Sequence, residues 1–191
     1  MPSSASETIP YLIEFTRKNR PELKTVLDVG IGFGKDGFLL REYYDAKEWH
    51  KFQPNDWQLK ITGVDIYDGY LSELQKIIYN EIIIGDIQEV LPKLGNFDLA
   101  ILSDVLEHFD KAEGYELLNN LFEHVEDIVI ATPLGFHEHG AEDDNPHEEH
   151  KSGWTLEDFG RYSVIDSAVI DRIRKSEQVL VVYLRKSIDS V

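Results

Sequence analysis

The feature that most constrains the fold is a regular alternation between short apolar segments and segments with helical periodicity. The apolar segments are long enough for β-strands and lie at residues 25–29, 60–65, 81–86, 97–104 and 127–133. Between them, apolar residues recur every three or four positions, as on the buried face of a helix. This alternation predicts a doubly wound α/β sheet, in which helices connect parallel strands.

Two of the predicted helices have a clear apolar face. In "YELLNNLFEHV" (115–125) the residues expected to face inward are Leu117, Leu118, Leu121 and Phe122. In "GYLSELQKIIY" (69–79) they are Tyr70, Leu71, Leu74, Ile77 and Ile78. Both faces are expected to pack against the sheet.

The pattern changes after the fifth predicted strand. Residues 134–153 are polar and have no periodicity, and Thr155 with Asp158 then resembles the capping box that begins a helix. Two further strand-like segments, "YSVIDSAVID" and "QVLVVYLRK", are joined by a short link. They predict a β-hairpin that closes the sheet.

Length, composition and charge limit the class of protein. At 191 residues the chain suits a single domain, 1–191, and it has no cysteine for disulfides or thiolate zinc sites. Its net charge of −17 argues against nucleic acid or an anionic membrane as the main partner. No apolar run approaches the ~20 residues of a membrane span, and the N-terminal segment lacks the pattern of a secretory signal. We therefore expect a cytoplasmic protein.

A glycine-rich turn follows the first predicted strand in "TVLDVGIGFGKDGF" (25–38). Gly30, Gly32 and Gly34 alternate with other residues, and Asp28 stands two places before the first glycine. The dinucleotide fingerprint G-x-G-x-x-G fails from Gly30, and from Gly32 it places the strand end and the acid wrongly. A phosphate-binding Walker loop is absent because neither Ser nor Thr follows a Gly-Lys pair. The pattern that remains is D-x-G-x-G-x-G.

With three further motifs, this turn resembles the class I S-adenosylmethionine-dependent methyltransferases. Asp65 ends the second predicted strand, Asp86 follows the third, and "FDLAILSDVLEHF" (97–109) is similar to this family's fourth strand and following turn. The motifs occur in the family's order across residues 25–133. The resemblance implies a Rossmann-like, mostly parallel seven-stranded sheet of order 3-2-1-4-5-7-6, with the last strand antiparallel and helices on both faces.

The resemblance also implies S-adenosylmethionine as the cofactor and assigns residues to it. The expected cofactor-binding residues are Asp28, Gly30, Gly32, Gly34, Asp65, Ile66, Asp86, Ile87 and Ser103. Asp28 would orient the methionine portion, Asp65 would accept both ribose hydroxyls, and Asp86 would accept from the adenine amino group. Acidic side chains suit a ligand that carries a sulfonium and an ammonium. Taken singly, Asp86 is better explained as a helix cap, and Asp28 could serve only to brace the turn.

Methyl transfer is an in-line displacement that depends mainly on positioning, with a general base needed for a hydroxyl or a protonated amine. The candidate catalytic residues are His108, His150 and His137. Ubiquinone-pathway O-methyltransferases have a similar acid-x-x-Glu-His element that can hold a divalent metal, and Asp104, Glu107 and His108 fall on that pattern. The same Glu-His pair is widespread at helix starts without metal, and we expect no metal here.

The polar segment at about 134–153 contains four of the seven histidines. It is interpreted as a lid over the substrate, with a metal site or a solvated acidic loop as alternatives. Within and after it, His137, His150 and Trp154 are candidates to face the substrate, although Trp154 would equally suit the core. An acidic lid favours a neutral or cationic small molecule, or a sugar hydroxyl, as acceptor.

The leading interpretation is therefore a methyltransferase that acts on a small molecule, with hydroxyl oxygen as the favoured acceptor atom. The alternatives are a non-catalytic protein that binds the same cofactor, an aminopropyl transferase on the same fold, and a nicotinamide-dependent dehydrogenase. Nothing in the sequence indicates an oligomeric interface.

Overall fold

A seven-stranded sheet forms the centre of the protein in the computed structural model, which describes residues 4–141, 145–173 and 177–186. The strands are β1 (Thr25–Val29), β2 (Lys60–Asp65), β3 (Glu81–Ile84), β4 (Phe97–Ser103), β5 (Val125–Pro133), β6 (Ser163–Asp171) and β7 (Gln178–Arg185). Their order is β3-β2-β1-β4-β5-β7-β6, and β7 runs antiparallel to both of its neighbours. The predicted strand order and the reversed last strand are confirmed.

Helices cover both faces of the sheet, as predicted. They are α1 (Ile9–Asn19), α2 (Lys35–Leu40, continued by a π-helix over Arg41–Glu48), α3 (Glu73–Ile78), α4 (Ile87–Val90) and α5 (Lys111–His124). One apolar core lies between the sheet and α4 and α5, and the other lies between the sheet and α1, α2 and α3. Among the described residues, no helix has the length and apolar character to cross a membrane.

The apolar face predicted for α5 is confirmed, whereas the one predicted for α3 is correct for Ile78 and wrong for Leu74 and Ile77. Leu74 and Ile77 are 42% and 56% exposed, and the inward face of α3 carries Ile78 and Gln75. The Gln75 side chain donates to the backbone carbonyl of Gly32 at 2.9 Å. A polar residue therefore occupies this face because it braces the glycine turn after β1.

A buried carboxylate joins β5 to β7 and to the end of α1. Asp127 is fully buried and accepts hydrogen bonds from Tyr183 (2.6 Å), Arg20 Nε (2.5 Å) and Arg185 Nε (2.8 Å). Burial raises the pKa of Asp127, but the hydrogen bonds from these cations and the phenol outweigh it, so that the pKa lies below its ordinary value of 3.8.

We expect Asp127→Asn to lower the free energy of unfolding by about 2 kcal/mol at pH 7, since it removes the charge that these donors face. Because the folded-state pKa is lowered, the stabilisation is complete above the ordinary pKa of 3.8 and is lost as the pH falls through the folded-state value. Denaturant unfolding of both proteins at neutral and strongly acid pH measures this difference.

The control is Glu126→Gln, which alters the exposed partner of Arg20 and is expected to change the free energy of unfolding by less than about 0.5 kcal/mol. Equal losses in the two variants would contradict the assignment.

Candidate functional site

A cavity of about 570 Å³ lies at the carboxyl ends of the parallel strands. The turns after β1, β2, β3, β4 and β5 line it, and residues from the segment 134–153, here called the lid, line its outer side. Residues 142–144 of the lid lie outside the described residues. A crevice at this end of an open parallel sheet is the usual place for a ligand in doubly wound folds.

The glycine turn forms one wall of the cavity with its backbone. Gly30, Gly32 and Gly34 have φ angles of +74°, +45° and +85°, in the region that residues with a Cβ rarely adopt. A Cβ on Gly30 would also lie 2.5 Å from a side-chain methyl carbon of Val105. Gly30 and Gly32 line the cavity, so a ligand can approach the main chain closely at this point.

Asp65, at the end of β2, is 8% exposed and faces the cavity. One carboxylate oxygen accepts from the backbone N–H of Gly32 and the other from that of Tyr67, both at 2.9 Å. Burial raises the pKa of Asp65, and these two hydrogen bonds counteract part of that effect. The carboxylate is thus held in a fixed orientation, and each of its oxygens can accept a further hydrogen bond from a ligand.

The turn after β3 brings an acid and an apolar surface to the same cavity. Asp86 is the N-cap of α4, where its side chain accepts from the backbone N–H of Gln88 at 2.8 Å, and it also lines the cavity. Ile87 is buried and Ile66 is 39% exposed, and both line the cavity. Asp86 therefore caps α4 and also faces the cavity, so the two interpretations are compatible.

The structure separates Asp28 and Gly34 from the other predicted cofactor residues, since neither is among the described residues that line the cavity. Asp28 is buried and accepts a hydrogen bond from the Tyr79 hydroxyl at 2.6 Å. The neighbouring Asp36 of α2, by contrast, lines the cavity. Burial, followed by the charge of Asp36, raises the pKa of Asp28 well above its ordinary value. Asp36 was not among the site residues predicted from the sequence. Its position just after the glycine turn could have indicated that it lines the cavity.

The turn after β4 carries two acids into the cavity. Asp104 has a φ of +53°, which is unusual for a residue with a side chain, and burial raises its pKa to about 6. Glu107 is 2% exposed, and its pKa is raised well above the ordinary value by burial and then by the charge of Asp104. One Glu107 oxygen accepts from the Thr132 hydroxyl at 2.9 Å. The other oxygen has no hydrogen-bond partner among the described residues.

The three candidate histidines all line the cavity, and two of them are close together. The rings of His108 and His150 lie 5.2 Å apart between centroids. Burial lowers the pKa of both residues, which favours the neutral imidazole near pH 7. One ligand atom from each of Glu107, His108 and His150 lies within 4.8 Å of the other two. His137 lies on the lid, with Nε2 at 3.0 Å from the carbonyl oxygen of Leu134.

Hydrogen bonds hold the lid at both sides of the cavity. On one side, the Tyr70 hydroxyl donates to Glu148 at 2.9 Å. On the other side, the backbone N–H groups of Lys151 and Ser152 donate to the carbonyl oxygen of Glu107 at 2.8 and 3.1 Å. Tyr70 was not predicted as a site residue, and the lid contacts that reveal it have no periodic sequence pattern.

Trp154, directly after the lid, is fully buried in the core between the sheet and α5. Its ring stacks on Phe159, and its indole N–H donates to the Ser152 hydroxyl at 2.9 Å. Of the two interpretations made from the sequence, the structure supports the core position.

Comparison with known proteins gives a consistent fold. No protein-family model matches the chain, and no curated protein matches its sequence. Among solved structures, it is similar to Burkholderia thailandensis 1,6-didemethyltoxoflavin-N1-methyltransferase with bound S-adenosylhomocysteine (TM-score 0.68, 16% identity, covering 95% of this chain and 80% of that one). It is also similar to the N-terminal domain of EvdMO1 with S-adenosylhomocysteine bound (TM-score 0.64, 17% identity, covering 96% and 83%).

A third similar structure is the small RNA methyltransferase HEN1 (TM-score 0.63, 18% identity, covering 96% of this chain and 25% of that one). The chain therefore has the fold of the class I S-adenosylmethionine-dependent methyltransferases. Because these proteins are named for acceptors as different as 1,6-didemethyltoxoflavin and small RNA, the fold does not by itself identify the acceptor.

Proposed function

We propose that the protein is an S-adenosylmethionine-dependent methyltransferase that transfers a methyl group to a hydroxyl oxygen of a small-molecule acceptor. The observation that carries this proposal is the convergence of the left-handed glycine turn, Asp65 and Asp86 on one cavity at the carboxyl ends of β1, β2 and β3. A backbone wall and acidic side chains suit a cofactor that has no phosphate and carries positive charge.

The residues of the cavity fit the parts of this cofactor. Asp65 would accept both ribose hydroxyls, and the hydrogen bonds from Gly32 and Tyr67 that orient its two oxygens support this role. Asp86 would accept from the adenine amino group, with Ile66 and Ile87 against the ring. The methionine portion would then lie along the glycine turn, toward the acid Asp36 and the β4 turn at Ser103.

The proposed reaction is an in-line displacement at the methyl carbon of the cofactor. The acceptor oxygen attacks the methyl carbon, the carbon–sulfur bond breaks, and its electron pair stays on sulfur, which gives S-adenosylhomocysteine. The hydroxyl proton passes to an imidazole on the cavity wall, for which His108, His137 and His150 are the candidates. The lid excludes water from the methyl group and holds the acceptor in line.

The size and charge of the site favour a small acceptor. A cavity of about 570 Å³ must contain the cofactor as well as the acceptor. The lid residues Glu138 and Glu148 add negative charge to its wall, and the whole chain carries −17. A neutral or cationic molecule is therefore favoured over a nucleic acid or an anionic membrane.

Calorimetric titration with S-adenosylmethionine and S-adenosylhomocysteine tests the cofactor assignment. We expect one site per chain with a micromolar dissociation constant, and no binding of a nicotinamide dinucleotide. A panel of phenols, sugars and amines, assayed for release of S-adenosylhomocysteine, then tests the acceptor class. No binding of either cofactor form would contradict the proposal. Binding without turnover on any acceptor would favour a non-catalytic cofactor-binding protein, and aminopropyl transfer from the decarboxylated cofactor would favour the aminopropyl transferase.

A further inference from the structure

Glu107, His108 and His150 come from two distant parts of the chain and meet at the wall of the cavity. Glu107 and His108 lie on the turn after β4, and His150 lies on the lid. One ligand atom from each lies within 4.8 Å of the other two. Two imidazoles and one carboxylate are the donor set of many catalytic metal sites, which keep a further position open for water or substrate.

Each of the two imidazoles contacts a backbone carbonyl through Nδ1. Nδ1 of His108 lies 3.1 Å from the carbonyl oxygen of Glu149, and Nδ1 of His150 lies 2.8 Å from that of His137. A carbonyl oxygen can only accept, so Nδ1 carries the proton in each neutral ring and the lone pair is on Nε2. An imidazole that donates to a backbone carbonyl through one nitrogen is typical of a metal-ligating histidine.

Within the described part of the chain, the carboxylate of Glu107 is also held through only one of its atoms. This observation is independent of the distances within the cluster. The Glu107 side chain is 2% exposed; one oxygen is held by the Thr132 hydroxyl, and the other has no hydrogen-bond partner among the described residues. An unpartnered buried carboxylate oxygen is costly, because it has lost its hydration without compensation. A cation between this oxygen and the two imidazoles would satisfy it.

We propose that Glu107, His108 and His150 bind a divalent cation of the zinc class. Nitrogen-rich donor sets favour zinc, cobalt or iron(II) over magnesium and calcium, which prefer oxygen. Bonds of about 2.0–2.1 Å place tetrahedral ligand atoms roughly 3.3 Å apart, so rotation of the side chains must bring them closer by at most about 1.5 Å.

The ion would join the lid to the β4 turn at the wall of the cavity. It would occupy the lone pairs of His108 and His150, which leaves His137 as the candidate histidine free to accept the hydroxyl proton. Binding of the ion does not depend on the proposed function, whereas its use in positioning an acceptor oxygen rests on it.

Metal titration of the chelator-treated full chain tests the inference. Calorimetry with zinc chloride is expected to show one tight site, and magnesium chloride should bind at least about 100-fold more weakly. His150→Ala and Glu107→Gln should each weaken zinc binding by more than about 100-fold. The matched control is His147→Ala, another cavity-lining histidine of the lid, which should leave the zinc affinity unchanged within about threefold.

A spectroscopic and a thermal measurement complete the experiment. Cobalt(II) should give a visible absorption band in the wild type and His147→Ala but not in His150→Ala, and zinc should raise the Tm of the same two proteins only. His150→Ala removes one half-buried ring, so it keeps the test decisive if Glu107→Gln fails to fold.

Absence of zinc binding in the wild type would overturn the inference. Zinc binding that survives Glu107→Gln and is lost in His147→Ala would also overturn it, since that result describes a site within the lid alone. Binding of S-adenosylhomocysteine, measured on the metal-free protein, separates this failure from failure of the proposed function.

Discussion

Asp65→Ala is expected to weaken the binding of S-adenosylhomocysteine by more than about 100-fold. The carboxylate is 8% exposed, and the backbone N–H groups of Gly32 and Tyr67 fix its direction toward the cavity. Loss of two hydrogen bonds to an ionised acceptor, at about 1.5–3 kcal/mol each, corresponds to at least a 100-fold change in affinity. The substitution also leaves the N–H of Gly32 without its acceptor, so the glycine turn is expected to loosen.

The control for this experiment is Asp68→Ala, in the segment that connects β2 to α3. Asp68 is exposed and lies outside the described lining of the cavity, so its removal changes the net charge equally without changing the site. Calorimetry of both variants, with circular dichroism to check folding, makes the comparison. Equal affinities of Asp65→Ala and the wild type would remove Asp65 from the cofactor site, and an equal loss in both variants would assign the effect to net charge.

Trp154→Ala is expected to lower the free energy of unfolding by about 3–5 kcal/mol. Trp154 is fully buried and stacks on Phe159. Its ring also lies where a side chain on Gly114 of α5 would be, since a Cβ there would be 2.5 Å from it. Its removal would open a cavity between α5 and the end of the lid, which the close-packed neighbours can fill only in part.

Phe136→Ala is the matched control, because Phe136 is an aromatic residue of the lid that is 60% exposed. Its removal should change the free energy of unfolding by less than about 0.5 kcal/mol. Urea unfolding of both variants gives the two values. A loss below about 1 kcal/mol for Trp154→Ala would contradict its core position and restore the interpretation that it faces the substrate.

The sequence predicted the strands well because their burial leaves a local signal. β1 and β2 have the predicted bounds, and the other strands differ by no more than a few residues. Prediction was weaker for short helices, where one residue can outweigh the periodicity. In α3 the buried Gln75 replaces an apolar residue because its side chain donates to Gly32. α1 was not predicted at all, although its apolar residues Leu12 and Phe15 are buried.

The positions of the site residues could be predicted to the extent that they depend on strand ends. Parallel strands end at one edge of the sheet, so Asp65 and Asp86 could be expected in one crevice before the structure was known. The direction in which a strand side chain points could not be predicted in the same way. Asp28 turns to the Tyr79 hydroxyl, and Asp36 lines the cavity instead.

The sequence by itself therefore determined the doubly wound sheet, the glycine turn and the acids at the strand ends, because strand burial and the glycine spacing are local features of the sequence. The strand order was implied by the family resemblance. Only the tertiary structure decided how the lid lies over the cavity. The lid has no periodicity, and its position results from hydrogen bonds to distant groups such as Tyr70 and the Glu107 carbonyl. Those contacts bring His150 close to Glu107 and His108. The spacing of these residues along the chain could not predict that they lie together.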